Sequence, residues 1–167
     1  MPGDPLYGGL IVGVDGSEAS LAALRWSAAK ARLLGAPLVA VHAWLPAGPH
    51  RAPYAPSSGL PTAEQEHMRA LRTLDATVAR LAEVDPDAQV LALLDQGPAA
   101  TVLLRRARHA LLLALGRRAR EDVMLPALGA VARECVRHAV CPVVTVPDPP
   151  EDAKPRDLPW LARAALL

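Results

Sequence analysis

The stretch from Leu111 to Val146, LLLALGRRAREDVMLPALGAVARECVRHAVCPVVTV, most constrains what this chain can fold into. A short apolar run ends at Gly116, and an irregular, arginine-rich segment follows. Gly129-Ala130-Val131 then opens a helical pattern that stops near His138. Cys141-Pro142 leads into a second, β-branched apolar run. Strand, loop, helix and strand in that order predict a parallel crossover, because parallel neighbours cannot be joined by a tight turn. The loop of such a unit faces a helix N-terminus, whose backbone amides attract anions.

The rest of the chain repeats this alternation. Leu10 to Val14 is an apolar run ending at Asp15-Gly16-Ser17. Ser17 is a good N-cap, Glu18 suits the positive end of the helix dipole, and Leu21, Leu24, Ala28, Ala31 and Leu34 recur at helical spacing. Gly35 ends that helix, Pro37 blocks its continuation, and Leu38 to Val41 form the next strand. Trp44 to Pro61 breaks the pattern with Pro46, Pro49, Pro53, Pro56 and Pro61 and reads as a long loop. Thr62 and Gln65 have the spacing of a capping box. The helix they open would turn Met68, Leu71, Leu74, Val78 and Leu81 inward and end before Pro86. Val90 to Leu94 is a third strand. Pro98 to His109 reads as a helix with Val102, Leu103 and Ala107 inward and Arg105, Arg106 and Arg108 outward. Leu111 to Leu115 and Pro142 to Val146 complete five strands, each separated from the next by a helix. That pattern implies a doubly wound α/β fold, a single domain with a five-stranded parallel sheet and helices on both faces.

The expected domain covers residues 1–147. Beyond it PDPPEDAKPRDLPW is rich in proline and charge and reads as a tail over 148–167. Whether Leu158 to Leu167 forms a short amphipathic helix with Trp160 packed, or no fixed structure, stays open. The formal net charge of +1 offers no general attraction for nucleic acid or anionic membranes. Aromatics are 3% of the chain and Phe is absent, so the core must be aliphatic. No run reaches the ~20 apolar residues of a membrane span, and MPGDPLYGG lacks the pattern of a signal peptide. Cys135 and Cys141 are too few for a disulfide framework, which makes a cytoplasmic location the expectation.

In a doubly wound sheet, ligands bind beyond the carboxyl ends of the strands where strand order reverses. For the order 3-2-1-4-5 that point lies between the first and fourth strands. Asp15 and Gly116 end those strands and should face each other. Asp15 could accept a hydrogen bond from a ribose hydroxyl or base amine, or could simply form the turn before Gly16. The Gly116 loop and the Gly129-Ala130-Val131 amides could hold phosphate. Arg117, Arg118 and Arg120 either assist electrostatically or are solvated, and Glu121 and Asp122 would partly cancel their field.

VGVDGSEAS (Val12 to Ser20), the helix and strand after it, and the segment Leu111–Val146 ending RHAVCPVVTV resemble the universal stress protein family, of the UspA-like type. The resemblance covers roughly residues 8–147. It implies a five-stranded parallel α/β domain with ATP as its expected cofactor, and a homodimer formed through the last strand, Pro142–Val146. It also implies that Asp15 and Val41 lie on the adenine and ribose side. The family's ATP-binding branch carries Gly, two residues, Gly, nine residues, Gly, then Ser or Thr. This chain keeps the spacing as Gly116, Ala119, Gly129 and Ala130. Ala119 puts a methyl group where backbone should approach phosphate. Ala130 lacks a hydroxyl donor to a charged oxygen, a loss of about 1.5–3 kcal/mol, or one to two decades of affinity. The nucleotide candidates are therefore Asp15, Val41, Gly116, Ala119, Gly129, Ala130 and Val131.

Other chemistry is poorly marked. Asp15 and Asp95 suggest a phospho-accepting receiver, but no acidic pair for Mg²⁺ and no lysine after the fifth strand accompany them. The histidines His42, His50, His67, His109 and His138 lack metal-ligand spacing. Cys135 and Cys141 read as small buried thiols. The arginines of the Pro98–His109 segment read as a solvated face, because nucleic-acid binding would also call for aromatics or a basic domain. Two functions follow: a non-enzymatic regulatory or interaction module with weak or lost ATP binding, or an ATP-binding protein with slow hydrolysis or phosphotransfer. Asp15 is the sole catalytic candidate for the second.

Overall fold

The computed structural model describes residues 7–46, 61–117 and 128–148. Strand β1 (Leu10–Gly13) leads to helix α1 (Glu18–Leu34), β2 (Leu38–Trp44), α2 (Ala63–Ala82) and β3 (Val90–Gln96). Helix α3 (Ala99–Arg106) tightens into a 3₁₀ turn over Ala107–His109, and β4 (Leu112–Arg117), α4 (Ala130–His138) and β5 (Val143–Pro147) follow. All pairings are parallel, as the alternation of elements predicts, and the order is β3-β2-β1-β4-β5, the doubly wound order expected for this chain.

Side chains alternate across the strands and so build two cores. Leu10, Val12 and Val14 pack with Ala23, Leu24 and Ala28 of α1 and with Leu74 and Leu81 of α2. Ile11, Val39, Val41, Leu113 and Leu115 face the other way, onto Val102 and Leu103 of α3 and Ala132 and Cys135 of α4. Both cores are aliphatic apart from Cys135, in keeping with the lack of Phe. Together they fix β1 and β4 side by side in the middle of the sheet, where the strand order reverses.

Local chemistry sets the helix ends. Ser17 Oγ accepts from Ser20 N at 3.2 Å, and Gly35 closes α1 in the left-handed conformation at φ 59°. Thr62 and Gln65 form the expected capping box: Thr62 Oγ1 accepts from Gln65 N at 3.1 Å, and Gln65 Oε1 accepts from Thr62 N at 2.8 Å.

Several expected details differ. Helix α2 buries Ala70, Leu74, Thr77 and Leu81, while Met68 is exposed. The small Ala70 and Thr77 let the helix sit close to the sheet, and the Thr77 hydroxyl is satisfied within the helix by the Thr73 carbonyl at 2.8 Å. Trp44 belongs to β2 rather than to the following loop, and β4 continues through Gly116 to Arg117. Arg106 is not a solvated arginine. Its Nε and Nη2 donate to Asp95 at 2.6 and 2.8 Å, and Arg105 adds a third bond at 3.3 Å. The Arg106 guanidinium holds the Asp95 carboxyl below the usual carboxylate range. Asp95 thus pins α3 to the end of β3. The rest of the loop from 47 to 60, the segment 118–127 with Arg118, Ala119, Arg120, Glu121 and Asp122, and the tail from 149 onward lie outside the described residues.

Candidate functional site

The carboxyl ends of β1 and β4 open into a crevice of about 790 Å³, within the size range of small-molecule sites. Gly13, Val41 and Leu115 form its floor, the turn Asp15–Ser20 one wall, and Gly129, Ala130, Val131 and Arg133 the other. Six of the seven candidate residues, Asp15, Val41, Gly116, Gly129, Ala130 and Val131, therefore line one space. Ala119 lies outside the described residues.

The first wall is tied to itself. Asp15 Oδ1 accepts from both the backbone N and the hydroxyl of Ser17. The Ser20 hydroxyl donates to the Ser17 carbonyl at 2.9 Å and accepts from Asp15 N at 3.3 Å. Asp15 thus serves as the turn residue before Gly16 while its carboxylate stands at the rim of the crevice. Val41 is 1% exposed, and its carbonyl accepts from Val14 N at 2.9 Å. Next to it His42 Nδ1 lies 2.7 Å from the Val14 carbonyl. The sequence reading missed Ser20 and His42 as lining residues. A signal for His42 was present, since it directly follows Val41 at the carboxyl end of a strand beside the reversal point.

The two glycines play different parts. A methyl group on Gly116 would overlap the carbonyl group of Ala19 and the backbone N of Ser20. Helix α1 therefore packs directly on the backbone of β4, and glycine here is demanded by the fold itself. Gly129 has φ −63°, and a methyl group on it would meet nothing within 4 Å among the described residues. Neither its backbone nor its described neighbours require glycine.

Gly129 is also the N-cap of α4. It offers no side-chain cap, and the first turn of α4 holds no acidic residue. The first backbone amides of α4 therefore face the crevice uncapped by any side chain of the helix. The charged groups lining the crevice among the described residues are Asp15, Arg117 and Arg133. Among the described residues, Arg117 Nε is buried and lacks a hydrogen-bond partner, as does Arg25 Nε on α1.

The cysteines are poor nucleophiles. Cys135 is fully buried, burial pushes its thiol up to about 11, and burial also raises Cys141. Among the described residues no group of three or more His, Cys, Asp or Glu side chains could hold a metal ion, and no helix is long and apolar enough to cross a membrane.

The family model of the universal stress protein family matches residues 7–147. Universal stress protein Rv2623 of Mycobacterium tuberculosis is 32% identical over 154 residues, covering 84% of this chain and 48% of that protein. The chain thus spans about half the length of the curated relatives it matches. The fold is similar to that of the universal stress protein from Archaeoglobus fulgidus in complex with dAMP, with TM-score 0.60, 23% identity, and 84% of this chain and 98% of that one covered. A universal stress protein family protein from Arabidopsis thaliana with AMP bound has TM-score 0.57 and 19% identity, with 88% and 96% covered. The sheet order, the crevice at its reversal point and the match over 7–147 together establish that the chain belongs to the universal stress protein family.

Proposed function

We propose that the crevice between β1 and β4 takes an adenine nucleotide with reduced affinity, and that the chain acts as a cytoplasmic, non-enzymatic regulatory module. The observation that carries this reading is the start of α4. Its residues line the crevice without a side-chain cap from the N-cap position, which is a glycine where an added methyl group would meet no described residue within 4 Å. A phosphate group fits that arrangement, since helix N-termini stabilise anions through amide donors and the dipole. The dAMP and AMP complexes of relatives with this fold support an adenine nucleotide as the ligand class. Asp15 and Val41 at the opposite wall and floor would take the base and ribose, with phosphate toward Gly129, Ala130 and Val131.

Reduced affinity follows from the residues present. Ala130 has no hydroxyl to offer an anionic oxygen, and Ala119 stands where the family's ATP-binding branch has glycine. The non-enzymatic reading follows from Asp15, the one carboxylate lining the crevice among the described residues, whose Oδ1 already serves the Ser17 turn. Assembly as a homodimer through β5 is part of the same proposal. Strand β5 is a sheet edge, and Val136 and Val140 beside it are 51% and 77% exposed.

Calorimetric titration with ATP and AMP tests the reading. Restoring both motif positions with Ala119→Gly and Ala130→Ser should tighten binding by roughly one to two decades, the worth of a hydrogen bond to a charged group. A double variant that binds no better than the parent protein would show that phosphate does not lie against α4.

A further inference from the structure

We infer that the outward face of α3 and α4 is a docking surface for an acidic polypeptide segment of a partner protein. The inference does not depend on the nucleotide reading, because Arg105, Arg108 and Arg137, which carry it, do not line the crevice.

The two helix layers on either side of the sheet handle charge differently. Helices α1 and α2 with the turn after them, residues 18–34 and 63–89, carry six Lys or Arg and seven Asp or Glu. Opposite charges meet there across the layer: Arg80 Nη1 lies 2.8 Å from Glu18, and Arg32 Nη2 lies 2.6 Å from Asp85. On the other side α3, its 3₁₀ turn and α4 carry five arginines and one carboxylate, Glu134, which approaches His138 of its own helix at 3.3 Å. Asp95 of β3 adds one negative charge, and Arg105 and Arg106 share it. The α3 and α4 layer thus holds more positive charge than its described neighbours neutralise.

What the helices bury decides where these arginines point. Val102, Leu103 and Ala107 enter the same core as Ala132 and Cys135 of α4. Helical spacing then turns Arg105 and Arg108 outward on one helix and Arg133 and Arg137 outward on the other, and all four are exposed. Like charges three or four residues apart oppose helix formation unless something negative lies over them. Basic residues in a last turn suit the helix dipole, which covers Arg105 and Arg137 but not Arg133 in the first half of α4.

The chemistry of the partner follows from this face. Residues four apart on a helix are separated by about 6 Å along its axis, and alternate residues of an extended peptide by about 7 Å on one side. A chain with acidic side chains at every second position can therefore meet successive arginines, whose guanidinium groups match carboxylates. Helices α3 and α4 carry no Phe, Tyr or Trp on which bases could stack. Glu134 also lies between Arg133 and Arg137, where a phosphodiester backbone would bring further negative charge. Both observations favour polypeptide over nucleic acid.

The test is fluorescence anisotropy on the full chain with a labelled peptide of about 20 residues alternating glutamate and serine. The parent protein should bind it, and Arg108→Glu with Arg137→Glu should weaken binding by roughly 10-fold or more. Arg69→Glu with Arg72→Glu, on the exposed side of α2, changes the net charge equally and should stay within roughly 3-fold of the parent. Arg108→Gln with Arg137→Gln provides a milder variant, which should lose roughly 3-fold or more and melt at or above the parent temperature, because it removes like charges. A parent protein that does not bind the peptide would overturn the inference, as would equal losses in the two reversal variants or displacement of the peptide by AMP. A single-stranded oligouridylate that competes with the peptide and binds more tightly would overturn it as well. Self-association of the parent that Arg108→Glu with Arg137→Glu abolishes, measured by sedimentation velocity, would assign the face to a second copy and overturn it too.

Discussion

Helices α1 and α4 both begin at the rim of the same crevice, and they begin in opposite ways. Helix α1 starts behind Ser17, carries Glu18 in its first turn, and has its leading turn bound up by Asp15, Ser17 and Ser20. Helix α4 starts behind Gly129, with no acidic residue in its first turn and no side-chain cap. A helix end that satisfies its own amides adds stability and leaves little for a ligand, while an uncapped end does the reverse. The contrast extends to the glycines. Gly116 serves the packing of α1 on β4, while a methyl group on Gly129 would meet no described residue.

Substitutions that treat the two sides alike can break this contrast. The largest effect is expected from Gly116→Ala, whose methyl group cannot fit against the Ala19 backbone; a loss of about 3 kcal/mol should appear in denaturant unfolding, at the upper end of overpacking. A loss below about 1 kcal/mol would mean that α1 can lift off β4 easily. Next is Ser17→Ala, which removes the cap of α1 and the partner of Asp15 together; about 1 kcal/mol should be lost. The smallest effect on stability, and of opposite sign, belongs to Gly129→Asp. A carboxylate at the start of α4 should stabilise the fold by about 0.5–1 kcal/mol through cap and dipole. The same carboxylate should abolish nucleotide binding in titration. If Gly129→Asp leaves stability unchanged, the α4 amides are already satisfied and the contrast between the helices fails.

Much of the fold was legible from the sequence because its determinants are local. Caps such as Ser17 and Thr62, the stop at Gly35-Pro37 and the regular alternation of strand and helix patterns act over a few residues. The parallel sheet follows from them, and the crevice follows from the order in which its strands are laid down. What stayed hidden depends on residues far apart in the chain. Nothing near Gly116 shows that Ala19 lies against it, so the glycine could be read only as part of a loop. The Asp95–Arg106 clasp and the exposure of Met68 likewise arise from how helices seat on the sheet. Arg117, Arg118 and Arg120 look alike in sequence. Only the alternation of β4 gives Arg117 its place on the α4 side.

The β1–β4 pairing also bears on how the molecule folds. Leu10 pairs with Leu38 across about 30 residues of chain but with Leu112 across about 100. Closing the longer loop costs about 1 kcal/mol more in chain entropy, and its reward comes only when both strands are in register. Non-local pairings of this kind slow folding. The crevice lies on this seam, so it comes into being with the contact that requires the widest search. A nucleotide that binds there recognises the chain only after that search has ended. Its binding free energy therefore falls on the completed topology and should slow unfolding rather than speed folding.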